Sequence, residues 1–373
     1  MKRVRTANLV PGMVTAEDVY TYNDQLIIPK GSVLNDKTIT KLEFYSIINV
    51  RIADEEENLL TEEEEPLEEP LPLKKPSVPA VEPSYSEKVR KSPQFLEFKK
   101  QFDEEVPKFR GLIDSVMKDN ENLTLDNMMS FIDDLLDSDS GYVNVFDMLH
   151  NMRNYDDQTY VHSLNVSLIC NVFSRWLKLT EEETRLATLC GLLHDIGKVM
   201  VPENIIKKQG KLTDEEFTLV KRHTVEGYNV LRNFAIPECI MNTALMHHER
   251  CDGSGYPFGV GNMKIDPYAK MVAIVDAFDA MTSARIYRPA MCPFKVIEIF
   301  EEEGFEKFDT RFIMTFLENI ANTYLLQRVR LNDKREGEII FINRNHFSKP
   351  TIKCGSEFID LSKEKDLYIE AVI

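Results

Sequence analysis

The sequence predicts a mainly α protein, with a long helical region over about 94–328 between a small β-rich module at 1–53 and a short β extension at 329–373. Three observations carry this expectation. Apolar residues in the middle of the chain recur at helical spacing, as in Phe109, Leu112, Ile113 and Val116, and again in Leu186, Leu189, Cys190 and Leu193. Two capping boxes, Thr180-x-x-Glu183 and Thr213-x-x-Glu216, mark helix starts, because hydroxyl and carboxylate each satisfy a backbone N–H that the first turn leaves open. Both ends of the chain instead alternate with the two-residue period of a pleated strand.

Taken in order, Val19–Tyr22 and Leu26–Ile28 are short β-branched or aromatic runs, punctuated by Pro11-Gly12, Asn23-Asp24 and Pro29-Lys30-Gly31. A helix is expected at 36–46, where Ile39, Leu42 and Tyr45 recur three apart, and a last strand at 47–53. Nothing in this module offers a catalytic group. Residues 54–93 read as a linker: ten acids and no base fall within 54–69, and seven of the 17 prolines lie between Pro66 and Pro93. Such a stretch buries too little apolar surface to offset the entropy of ordering it, so it is expected to be extended. The helical region has room for roughly eight to eleven helices. The last runs from Asp309 to about Gln327 with Phe312, Phe316 and Ile320 on one face. Beyond it, Glu338–Ile342 and Asp366–Val372 alternate and suggest a small terminal sheet.

Composition narrows the function. An apolar content of 43% in 373 residues excludes a wholly disordered chain. A net charge of −17 argues against coating a nucleic-acid polymer, which needs basic surface. Because ten of those negative charges sit in the acidic run, a small anionic substrate met by a few local cations remains compatible. The six cysteines are scattered without a CxxC pair, which points to a reducing compartment. No apolar run approaches the ~20 residues of a membrane span, and the basic start lacks the apolar stretch of a signal peptide. A cytoplasmic protein without a membrane partner is expected.

Five of the seven histidines, His162, His194, His223, His247 and His248, fall within 87 residues of the helical region. His194-Asp195-Ile196-Gly197-Lys198 follows an apolar helix face that ends at Leu193, with Gly197 read as the break. His247-His248-Glu249 ends a second helix containing Ile240, Ala244 and Leu245. Adjacent helical residues point about 100° apart, so a shared target is easiest at a helix end. His162 lies in the stripe of Val166, Ile169 and Phe173, and Asp276 on the face of Val272 and Asp279. A single histidine on an apolar face is ordinarily a hydrogen-bonded core residue. Five of them with two aspartates form a donor set for a cation, because neutral imidazole and carboxylate ligate Fe, Mn or Zn. His150 and His346 have polar neighbours and no such motif.

These residues resemble the HD superfamily of metal-dependent phosphohydrolases. His194–Lys198 together with His247-His248-Glu249-Arg250-Cys251-Asp252-Gly253-Ser254-Gly255-Tyr256-Pro257 looks like its HD-GYP subfamily, over roughly 145–325. The ends are less distinctive: 1–53 resembles a small accessory domain and 330–373 a β extension found beside such domains. The resemblance implies an HD-type helical bundle, a cyclic di-GMP phosphodiesterase giving linear pGpG, with further cleavage to GMP left open, and two divalent metal ions, Fe or Mn with Zn as a further option. His162, His194, Asp195 and Asp276 would hold one ion, and His223, His247 and His248 the other, with Asp195 bridging. Lys198 would contact a phosphate oxygen or protonate the leaving oxygen. Arg285 and Arg288 would bind ligand phosphate through planar guanidinium forks. Asp279 would orient a ligand or Lys198, and Tyr256, in a stretch holding four of the 15 glycines, would stack on or hydrogen-bond to substrate.

Two departures matter. Members that hold a third metal carry a glutamate one turn before the first histidine; here that position is Gln158, so two metals are expected and Gln158 is a hydrogen-bonding neighbour. Cys251 stands where an aromatic residue is usual, and a packing role is expected for it. Hydrolysis of another cyclic dinucleotide or nucleotide stays open, as does a receptor that binds cyclic di-GMP without cleaving it. So do a protein partner at the N-terminal module and a homo-oligomer.

Overall fold

The computed structural model describes residues 2–6, 9–20, 26–35, 38–39, 42, 47, 49–53, 89–119, 124–136, 145–152, 158–208, 210–283 and 290–373. The chain divides into two compact units, Met1–Ser84 and Tyr85–Ile373.

In the first unit, β1 (Lys2–Arg5) pairs antiparallel with β4 (Asn49–Ile52), and β2 (Val19–Tyr20) with β3 (Leu26–Ile28). Alternation drives these pairings: Val50 and Ile52 turn inward with Val19 and Ile28 onto Leu9, Leu34, Leu42 and Ile47. The strands at 19–20, 26–28 and 49–52 fall where alternation places them, and β1 is an addition. Most of the helix expected at 36–46 and residues 54–88 of the expected linker lie outside the described residues.

The second unit carries α1 (Pro93–Asp119), α2 (Leu125–Leu136), α3 (Val145–Asn151), α4 (Gln158–Trp176), α5 (Glu181–Leu193), α6 (Asp214–Lys221), α7 (His223–Leu231), α8 (Glu238–Met246), α9 (Pro267–Thr282), α10 (Pro293–Ile299) and α11 (Thr310–Thr323). Both capping boxes form, at Thr180 and Thr213, so α5 and α6 start where expected. A 3-10 turn at Ile196–Met200 follows α5, and five residues of π-helix, Phe300–Gly304, continue α10. The mainly α reading holds, and α4 and α5 form the central pair, with α9 against both.

Their shared core is aromatic: Phe316 meets Phe173 and Phe278 edge-on, each at 5.2 Å, and Phe146 stacks on Trp176 at 5.3 Å. Fully burying one phenylalanine contributes about 2–3 kcal/mol, so this cluster fixes the helices that present the site. On α11 the buried face is Ile313, Phe316, Leu317 and Ile320, one position on from the expected Phe312. The helix also stops at Thr323, because Leu326 adopts φ 66° and turns the chain into a strand.

The C-terminal residues form an antiparallel sheet in the order β8-β7-β6-β5-β9, from β5 (Arg328–Leu331), β6 (Glu336–Asn343), β7 (His346–Cys354), β8 (Glu357–Asp360) and β9 (Ile369–Val372). Glu301 in the π-helical turn accepts the Ser348 hydroxyl and the Phe347 N–H, which ties β7 to the helices. Among the described residues no helix is long and apolar enough to cross a membrane.

Candidate metal centre

The site assembles where three helix ends and two helix faces meet. His162 lies one turn into α4, and Asp276 and Asp279, three residues apart on α9, face it. His194 caps α5 in helical conformation, and Asp195 leaves the helix at φ −101°, ψ 9°, so the two side chains converge. His223 begins α7, while His247 caps α8 and His248 follows it.

Gly197 brings α7 to this point. Its φ is not left-handed and α5 has already ended at Leu193, so it is not the helix break that the sequence suggests. A Cβ there would stand 2.0 Å from the His223 carbonyl oxygen and 2.4 Å from the Gly227 nitrogen. Only glycine lets the 3-10 turn lie on the first turn of α7, which sets His223 beside Asp195.

Asp195 is the centre of the arrangement, 2% exposed. Its Oδ2 lies 3.3 Å from His194 Nε2 and 3.7 Å from His162 Nε2, and accepts from Lys198 Nζ. Its Oδ1 lies 3.4 Å from His223 Nε2 and 3.7 Å from His247 Nε2. The donor atoms form two groups, each within 4.8 Å: His162, His194 and Asp195, and Asp195, His223, His247 and His248. Asp276 faces both, with Oδ1 3.0 Å from His162 Nε2 and Oδ2 3.8 Å from His248 Nδ1.

The imidazoles are oriented from behind. His162 Nδ1–H donates to Asp279 at 2.6 Å, and Asp279 also accepts from Asn165 and from Ser283, each at 3.0 Å. His194, His223 and His247 donate Nδ1–H to the carbonyls of Gly191 (2.7 Å), Val220 (2.6 Å) and Thr243 (3.1 Å). In His194, His223 and His247 this leaves Nε2 as the inward lone pair, the tautomer a ligand needs, whereas His162 Nε2 lies in hydrogen-bond contact with Asp276.

Protonation follows burial and neighbours. Burial holds His223 down to about 4, and keeps His247 and His248 well below the ordinary histidine value. Burial opposes the charge on Asp195, but Lys198 and His194 outweigh it and hold the carboxyl well below its usual range. His162 is the exception: burial would lower it, yet hydrogen bonds to Asp276 and Asp279 lift it to about 9. The set therefore offers two ionised carboxylates and mostly neutral imidazoles. His194 Nε2 and Asp195 Oδ1 are buried with no hydrogen-bond partner among the described residues. Leaving each so costs about 1–3 kcal/mol, which a divalent cation on these N and O donors would remove. The residues present fit such an ion.

The loop after α8 closes one side. Tyr256 stacks on His248 at 4.6 Å and 28°, and burial pushes its phenol well above the usual value. Gly255 permits this, since a Cβ there would stand 2.4 Å from the His248 carbonyl oxygen. Glu249, 2% exposed, accepts the N–H groups of Phe258 (2.7 Å) and Val260 (3.1 Å) and so pins the loop. Cys251 donates to Asn262 Oδ1 at 3.5 Å. Residues 284–289, with Arg285 and Arg288, and the side chain of Gln158 lie outside the described residues. Asn165, Ser283 and Gly227 carry no local signal that could have singled them out. Glu249 stood in the motif without a role.

Comparison with known proteins agrees with this geometry. Residues 147–312 match the model of the HD domain family. The chain is 35% identical over 225 residues to a cyclic di-GMP phosphodiesterase of Pseudomonas aeruginosa, covering 59% of this chain and 54% of that one. It is 38% identical over 145 residues to a 3'3'-cGAMP-specific phosphodiesterase of Vibrio cholerae (39% and 34%), and 37% identical over 147 residues to a cyclic di-GMP phosphodiesterase of Thermotoga maritima (39% and 40%). The chain thus spans about half the length, or less, of these curated relatives.

Proposed function

We propose, on the premise that residues 147–312 of this chain belong to the HD domain family, that it is a metal-dependent phosphodiesterase hydrolysing cyclic di-GMP to linear pGpG. The observation that carries the reading is the division of Asp195, whose two carboxylate oxygens face two separate imidazole groups. His162, His194, Asp195 and Asp276 would hold one divalent ion and His223, His247 and His248 the other, with Asp195 shared. When bound, such a pair supplies an activated water and neutralises charge on the phosphate. Iron or manganese suits this donor set, and so does zinc.

The chain's own residues do the rest. Lys198, paired with Asp195 at the junction of the two groups, would hydrogen-bond a phosphate oxygen and give a proton to the leaving ribose oxygen. Asp279 fixes the ring of His162. Tyr256, held against His248 as a neutral phenol, offers a base a stacking face. Arg285 and Arg288 complete the phosphate contacts in this reading.

Elemental analysis of anaerobically purified protein, paired with a cyclic di-GMP turnover assay, tests it. About two Fe or Mn per chain and release of pGpG are expected. No product from metal-loaded protein overturns the assignment, and tight binding without cleavage would make the chain a receptor. The match to a 3'3'-cGAMP-specific relative at 38% identity favours running that dinucleotide in parallel.

A further inference from the structure

Lys221 ends α6, two residues before His223, and its Nζ lies 5.0 Å from the ring centre of Phe217 and 5.8 Å from that of Tyr256. Through Tyr256, which stacks on His248, the ammonium is one aromatic ring away from the second imidazole group. No carboxylate among the described residues pairs with it: the nearby Glu226 pairs with Arg222 at 3.1 Å, and Glu216 with Lys208 at 2.5 Å. Two ring faces hold the charge in place without neutralising it. Lys198, in contrast, is already engaged by Asp195.

A cyclic dinucleotide carries two phosphodiester charges; with one at Asp195 beside Lys198, a further local cation favours binding of the other in a chain of net charge −17. We propose that Lys221 is a substrate-binding residue that contacts the phosphodiester not being cleaved, on the Tyr256 side of the site. This rests on the cyclic dinucleotide reading above and adds a residue to it.

The test uses the full metal-loaded chain and its Lys221→Ala and Lys221→Arg variants, with two substrates. Cyclic di-GMP has a second phosphate; bis(p-nitrophenyl) phosphate has only the one that reacts. For Lys221→Ala the KM for cyclic di-GMP should rise about tenfold with little change in kcat, and the rise should shrink with added salt. Its kcat/KM should fall at least about fivefold more on cyclic di-GMP than on bis(p-nitrophenyl) phosphate, with Lys221→Arg recovering most of the loss. An unaltered KM for cyclic di-GMP, or equal losses on both substrates, overturns the inference and leaves the functional reading standing. Calorimetry separates the two failures: a wild-type chain that neither binds nor cleaves cyclic di-GMP overturns both.

Discussion

The two halves of the candidate metal centre present their imidazole nitrogens by different means. In the His162 half one orienting partner is a side chain, Asp279, itself held by Asn165 and Ser283, while His194 leans on the Gly191 carbonyl. In the half built on His223 and His247 the partners are backbone carbonyls of Val220, Thr243 and Ala244. Both arrangements fix the tautomer, but only the first brings negative charge. Against its burial, His162 is lifted to about 9 by Asp276 on its inner nitrogen together with Asp279 behind it, while burial holds His223 at about 4. Both kinds of orienter raise the basicity of the ring, but the Val220 carbonyl does not offset the burial of His223.

The largest expected effect removes what the halves share. Asp195→Ala takes away the oxygen facing each group and leaves Lys198 without its partner. Turnover of cyclic di-GMP should fall by about a thousandfold or more, and elemental analysis should show metal lost from both halves together. Near-normal turnover would mean the halves act separately and Asp195 bridges nothing.

Much of this site is legible in the chain, and the rest is hidden for physical reasons. His194-Asp195 and His247-His248 could be read because a helix end lets adjacent residues converge, and both pairs do lie at helix ends. Gly197 was visible but its purpose was not: a contact with the His223 carbonyl depends on where α7 packs, which no local pattern encodes. Asn165 is also tertiary, reaching Asp279 from α4, whereas Ser283 reaches it within one turn at the end of α9. The orienters of His223 and His247 are carbonyls, which every residue has, so no side-chain code marks them. In the C-terminal sheet the alternating runs within β6 and around β9 could be read. The strand β7, interrupted by Pro350, could not, because pairing on both flanks rather than composition holds it.

The difference in basicity between the halves has a consequence for stability without metal. His162 binds its proton more tightly folded than unfolded, so its contribution is complete below about 6.5 and is lost as pH rises through about 9. His223 is the reverse: from about 6.5 down to about 4 the unfolded chain binds the extra proton, so stability falls as pH falls. His247 and His248, also lowered by burial, steepen that acid limb. Denaturation of chelator-treated protein should show a maximum near neutrality, each uncompensated proton contributing a slope of about 1.4 kcal/mol per pH unit. His162→Gln should flatten the alkaline limb alone; if it leaves that limb unchanged, the carboxylate pair does not govern this half.

The smallest effect isolates the orienting carboxylate. Asp279→Asn keeps the shape and an oxygen for His162 Nδ1–H, but removes the charge that makes the ring a stronger donor. Metal affinity of the His162 half should fall about 10- to 100-fold, the range for loss of an outer partner of a ligand. The His223 half, anchored on carbonyls that the substitution does not touch, should hold its ion. Stepwise metal titration followed by elemental analysis distinguishes the outcomes. Loss of one ion per chain at limiting metal supports separately built halves. Equal weakening of both would mean that Asp276, which faces His162 with one oxygen and His248 with the other, transmits the change across the centre. In that case the carbonyl-anchored half owes part of its affinity to a carboxylate on α9, and the contrast between the halves becomes one of orientation alone.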